Sequence, residues 1–288
     1  VTWLPAAVAA ANGILVGSAM VATRFVIPQT APGSLALLRY AIGVCCLVPA
    51  IVMTGRQVRF ERRDVVPIAL LGVTQFGILI ALLNFGLTSI SSARAALIFA
   101  VLPLLTMVLS AALGQERLTL AKSAGVLLTI GGVAVALGDK ALERGAWIGE
   151  VAVFGSALCG AVCSVLYRPY LKKYPTLPVS AFAMLASVVF LSVIAAGEGF
   201  FNAPPRFTAG GWLAVLFIGA NSGVGYFLWL WALNHAPATR VTVFLSLSPV
   251  TAALLGALLL AEPVSTRALF ALACVVAGLW LAHRPDSR

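Results

Sequence analysis

An all-α integral membrane protein, with ten transmembrane helices arranged as two inverted five-helix repeats, is the fold class that three observations predict. Hydrophobic residues make up 61% of the 288 and charged ones only 10%. A water-soluble domain carries about a quarter charged, so this balance places the chain in lipid. Apolar runs of bilayer-spanning length recur along the whole chain. The second half also repeats the first: at an offset of 146, Gly77 falls on Gly223, Leu87 on Leu233, Pro103 on Pro249, Glu116 on Glu262 and Gly132 on Gly278.

The apolar runs cover residues 4–23, 34–53, 65–87, 93–113 and 119–138, then 147–167, 178–197, 209–233, 241–261 and 266–283. Each holds about the 20 residues that cross a hydrocarbon core. Near the start of each half the match is looser. Pro32 and Ser34 still meet Pro178 and Ser180 at 146, while Trp3 and Arg24 meet Trp147 and Arg168 at 144. Five spans is an odd number, so a second copy joined directly to the first enters the membrane upside down, related by a pseudo-two-fold axis in the membrane plane. The predicted units are residues 1–140 and 141–288.

The net charge of +10 is an orientation signal and not a nucleic-acid footprint. Twelve Lys and Arg fall in the loops of one side, among them Arg59, Lys173 and Arg240, and six in the others, among them Arg24, Arg94 and Lys140. By the positive-inside rule both termini are expected in the cytoplasm, for a multi-pass protein of a bacterial inner membrane. The expected partners are the bilayer and a small molecule. A single chain with both repeats can complete its own pathway, which is compatible with a monomer.

Polar residues at mid-span are costly unless they bond or line water, so they are the first site candidates. Asn12 in the first span matches Ser156 in the sixth at 144, and Gln75 in the third matches Asn221 in the eighth at 146. These pairs are expected to line a cavity between the halves, or else to bond helix to helix. Ser222, Tyr226 and Trp229 share a helical face at i, i+4 and i+7. With Phe99 and Tyr40 they could wall a binding site for a flat or cationic substrate, and Ser246 is a further substrate-binding candidate. Arg39 is the one basic residue well inside a span, either holding a substrate carboxylate or snorkelling to the interface.

Pro103 and Pro249 interrupt the fourth and ninth spans. Each removes the bond to the carbonyl four residues earlier, that of Phe99 or Leu245, so a hinge with cavity-facing carbonyls is one expectation and a packing kink the other. Arg94 and Arg240 begin the same spans and are gating candidates. Glu116 and Glu262 end them and are read as satisfying backbone donors at the turn that follows. Trp3, Trp147, Trp212 and Trp280 lie near span ends, as interfacial belt residues do.

No carboxylate stands at mid-span, which argues against a proton relay there. All five cysteines fall inside spans, so no disulfide is expected, and Cys159 with Cys163 at i, i+4 reads as packing and not as a metal site. No cofactor is expected either. GANSGVG at 219–225 matches no nucleotide loop, and neither G-x-S-x-G nor H-E-x-x-H occurs, so the chain is not expected to be an enzyme.

SSARAALIFAVLPLLTMVLSAALGQERLTLAKSAGVLLTIGGV at 91–133 and ATRVTVFLSLSPVTAALLGALLLAEPVSTRALFALACVVAGLWL at 238–281 resemble the repeat of the EamA group in the drug/metabolite transporter superfamily. Each carries a central proline, a glutamate at the span's end, a polar turn and a Gly/Ala-rich helix. ALLRYAIGVCCLVP at 36–49 resembles that family's second span, with Arg39 in place. Two departures are the turn AEPVST and Leu185 at the counterpart of Arg39. Within the group the chain is most similar to aromatic amino acid exporters of the YddG type. The resemblance implies a ten-helix exporter of small metabolites working by alternating access around a central cavity. Neutral or zwitterionic amino acids fit a site of amides and hydroxyls; efflux of lipophilic cations is the rival expectation.

Overall fold

A computed structural model describes residues 3–54, 59–115, 146–262 and 266–283, with short helical pieces between 123 and 135. Most of the fifth predicted span, 119–138, lies outside the described residues, as does Glu116. What is described is helical. The rods are α1 (Trp3–Val26), α2 (Pro32–Thr54), α3 (Arg62–Gly72), α4 (Leu79–Ser89), α5 (Ser92–Phe99) and α6 (Leu102–Ala112), then α7 (Ala146–Leu166), α8 (Arg168–Lys173), α9 (Thr176–Gly197), α10 (Ala209–His235), α11 (Ala238–Val243), α12 (Leu247–Leu260) and α13 (Thr266–His283). Among the described residues eight helical stretches are long and apolar enough to cross a membrane; the tenth predicted span is α13, with a shorter apolar run over Leu269–Gly278.

Among the described residues three spans are interrupted at the cavity described below. The third runs from α3 through a π-helical turn, Val73–Ile78, into α4. The fourth breaks at Ala100 and Val101, between α5 and α6, because Pro103 stands in the first turn of α6 and offers no amide to Phe99. The ninth passes from α11 through a 3-10 turn, Phe244–Ser246, into α12, with Pro249 in the first turn beyond. Continuous kinked helices were the expectation; the chain instead breaks outright before each proline. Ser91 and Thr208 cap α5 and α10, accepting from the amides of Arg94 at 3.3 Å and Gly211 at 3.0 Å.

Packing runs between the halves. α1 lies against α10 and α12, while α7, its counterpart in the second half, lies against α4 and α6. Likewise α2 packs on α10 and α9, and α9 on α3 and α2. Small residues allow the close approaches. A Cβ at Gly17 would stand 2.5 Å from the Ser248 carbonyl oxygen, and one at Gly223 would stand 2.6 Å from that of Gly43. Large apolar side chains cover the outside, with Val193 72% and Leu258 78% exposed. In water such a surface would aggregate; against acyl chains it is the solvated face. Trp3, Trp147, Trp212 and Trp280 are exposed near helix ends.

Candidate functional site

α1, α2, the third span and α10 line a half-open cavity whose space, counted together with the solvent at its mouth, is about 760 Å³. It takes Asn12 from α1, Arg39 and Tyr40 from α2, and Gln75 from the π-helical turn. α10 adds Asn221, Ser222, Tyr226 and Trp229, and the broken spans contribute Phe99 and Leu245. Nine of the eleven predicted substrate-binding residues therefore meet in one space.

The polar members differ in what they bond. Asn221 Nδ2 donates to the Leu15 carbonyl at 2.8 Å, stitching α10 to α1. Arg39 does not snorkel; it is half-buried, and its Nε donates to Ser222 Oγ at 2.5 Å, while that hydroxyl donates to the Ile218 carbonyl at 2.7 Å. Gln75 Oε1 is buried with no hydrogen-bond partner, an exception native structures rarely leave unexplained. π-turns in helices often mark functional positions, and this one presents Gln75.

An aromatic chain runs along the wall. The Arg39 guanidinium lies 5.7 Å from the Tyr40 ring, Tyr40 and Phe76 meet edge-on at 4.9 Å, and Phe76 meets Tyr226 edge-on at 4.0 Å. Phe76, Thr23, Ser164 and Gly225 line the cavity and were not foreseen from the sequence. Gly225 reads as one more packing glycine, and an aromatic beside a polar residue mid-span is a weak signal.

Ser156 is a correction. It is fully buried in α7 and outside the cavity, although Gly160 and Ser164, one and two turns further along the same stripe, do line it. The polar match with Asn12 identified the right face but the wrong depth, because α7 packs on α4 and α6 and beside Ser156 a Cβ on Gly155 would stand 3.5 Å from Leu82 of α4. Ser246 lies in the 3-10 turn, and its side chain is outside the described residues.

The sequence profile of the EamA-like transporter family matches twice, at residues 3–138 and 147–284. The chain belongs to the EamA-like transporter family. It is 27% identical to an uncharacterized transporter of Archaeoglobus fulgidus, over 93% of this chain and 94% of that one. It is 31% identical to a probable terminal-alkyne amino-acid exporter of Streptantibioticus cattleyicolor, over 78% and 75% respectively. A solved crystal structure with 24% identity shares the fold at a TM-score of 0.74, covering 96% of this chain and 95% of the other. The protein is thus a multi-pass membrane transporter acting on a small molecule.

In this EamA-like transporter the ends of the cavity are tied across the halves. At the end where α2 and α5 begin, the Glu198 carboxylate accepts from the amides of Gly33 at 2.9 Å and Ser34 at 2.6 Å. Glu262 accepts from the Ser92 amide at 3.2 Å and hydroxyl at 2.5 Å. Arg24 donates to the Leu87 and Thr88 carbonyls at 2.5 and 3.1 Å, with its Nε 4.0 Å from Glu262. Arg94 pairs with Glu150. At the opposite end Lys173 Nζ lies 2.6 Å from both Glu61 and Asp64, and the Tyr174 hydroxyl donates to Asp64 at 2.6 Å. The Lys173 hydrogen bond, helped by nearby Arg63, holds the Glu61 carboxyl below its ordinary value.

Two sequence expectations bear on these ties, one about the matched arginines and one about a capping glutamate. Arg94 and Arg240 are matched in sequence but unlike in space, since Arg94 is ion-paired across the halves while Arg240 is exposed on α11. Glu262 does satisfy a backbone donor, the Ser92 amide of a helix 170 residues earlier; the turn that follows it lies outside the described residues.

Proposed function

We propose that this transporter exports neutral and zwitterionic amino acids, aromatic ones foremost, by alternating access between two inverted five-helix units. The observation that carries the reading is the lining of the cavity: three side-chain amides, one guanidinium, three aliphatic hydroxyls and an aromatic wall, with no carboxylate among the residues that line it. Dipoles and a cation suit a molecule with a free carboxylate and an apolar side chain. The same lining disfavours a lipophilic cation, which would want a buried negative partner. The Streptantibioticus cattleyicolor relative, named as a probable terminal-alkyne amino-acid exporter, supports the substrate class.

The exchanged packing, α1 on α10 and α12 against α7 on α4 and α6, supports an inverted relation of the halves, as does the twofold family match. A cavity without a carboxylate supports facilitated transport down the substrate gradient and not proton coupling. With both termini cytoplasmic in a bacterial inner membrane, the Ser92 end faces outward. A monomer holds the whole route.

The test is counterflow of radiolabelled amino acids in liposomes carrying the purified protein, without any ion gradient. Saturable flux of L-phenylalanine, with neutral amino acids competing, is the expected result. A strict need for a pH gradient would remove the facilitated mechanism, and no flux of any of the twenty would remove the substrate class.

A further inference from the structure

The cavity is polarised. On α10, Ser222 Oγ receives Arg39 Nε, and the described residues supply no carboxylate for the terminal nitrogens of that guanidinium. Arginine has donors only, so this point of the wall attracts an anion. One turn on, at Gly225, the chemistry reverses. A Cβ there would stand 3.1 Å from Asn221 Oδ1 and 3.2 Å from Asn12 Oδ1, so two amide oxygens lie together against the bare Cα of Gly225 and a side chain there would crowd both. The orientation of Asn221 is set by its own bond, because Nδ2 is engaged with the Leu15 carbonyl and Oδ1 must point the other way. Gln75 Oε1, the buried acceptor with no donor, borders the same cavity.

Ser222 and Gly225 are three residues apart, a rise of about 4.5 Å along the helix. That separation suits the carboxylate and ammonium of one α-amino acid, each at hydrogen-bonding distance from its pole. From the guanidinium the rings of Tyr40, Phe76 and Tyr226 follow in succession, a path for the side chain.

We infer that the stretch of wall between Ser222 and Gly225 is a head-group site for an α-amino-acid zwitterion. Arg39 takes the carboxylate, and the oxygens of Asn12 and Asn221 take the ammonium. The inference rests on the amino-acid reading above and adds that both charged groups are required. The transporter therefore rejects aromatic amines and aromatic acids that lack one of them.

The experiment is competition by phenethylamine and by hydrocinnamate against L-phenylalanine counterflow, in the wild type, Arg39→Gln and Gly225→Ala. In the wild type each analogue should compete at least roughly tenfold less well than phenylalanine, the loss expected for a missing charged hydrogen-bond partner. Arg39→Gln should weaken phenylalanine by a similar factor while leaving phenethylamine unchanged. Gly225→Ala should weaken phenylalanine and phenethylamine together but spare hydrocinnamate. A general folding defect would lower all three alike. Should a variant fail to fold, the wild-type series decides alone. Analogues competing as well as phenylalanine would overturn the head-group site and leave amino-acid export standing; absence of phenylalanine flux in the wild type would overturn the export reading instead.

Discussion

Glu262, at the end of the ninth span, caps Ser92, at the start of the fourth. Its two carboxylate oxygens receive the amide and the hydroxyl of a residue 170 positions earlier. The first turn of α5 has orphan amides that need acceptors, and the second half of the chain supplies one. Arg24 covers the neighbouring α4 carbonyls and stands 4.0 Å from the same carboxylate. The helix cap is therefore also a tie between halves, and alternating access would have to break it.

Glu262→Gln keeps the shape but weakens acceptance from Ser92. A lost charge-assisted cap is worth about 1–2 kcal/mol, so the tied end should open roughly tenfold more often. In a cysteine-free background carrying Leu83→Cys on the cavity wall, labelling by an impermeant maleimide should quicken by about that factor. An unchanged rate would show that this tie does not hold the end closed.

Gln75 and Asn221 are matched in sequence but not in what they do. Asn221 bonds the Leu15 carbonyl, so Asn221→Ala should lower stability in detergent by about 1 kcal/mol as well as weaken transport. Gln75 Oε1 has no partner, so Gln75→Met should leave the melting temperature unchanged or raised and still reduce transport. Equal destabilisation by both would contradict the difference in their bonding.

Ala261 has φ 52°, a left-handed backbone that costs an L-residue roughly 1 kcal/mol. The corresponding bend after α6 falls at Gly114, φ 67°. Ala261→Gly should therefore raise thermal stability by about 1 kcal/mol while keeping Glu262 on Ser92. A lowered melting temperature would contradict this.

Glu61 titrates below its ordinary 4.5 because Lys173 hydrogen-bonds it. A carboxyl depressed on folding contributes stability that is present above 4.5 and lost as pH falls through the lower folded value. Glu61→Gln should thus lower the melting temperature at pH 7, with the difference fading below pH 4.5. Because the group is exposed the effect is small, and a difference that persists at low pH would point to another cause.

Much of the cavity was legible beforehand. Asn12, Gln75, Asn221, Ser222, Tyr226 and Trp229 stand out because a polar or aromatic residue at mid-span, repeated at one helical spacing, has few reasons to be there. Ser156 met the same criterion and lies outside. Periodicity reports the face of a helix, while depth depends on where its neighbours close. The cross-half caps were not legible, since Glu198 and Glu262 look like ordinary loop carboxylates until the other half is placed beside them.

By itself the sequence determined the solvent, the recurrence of membrane-length apolar runs and the duplication, because hydropathy, run length and internal repetition can be read along the chain. It also determined where helices must fail, since a proline lacks its amide in any fold. Tertiary structure alone decided which amides are free and which are engaged, where the third span widens into a π-turn, and which carboxylate caps which helix. Those outcomes depend on distances between residues more than a hundred positions apart, and local chemistry does not encode such distances.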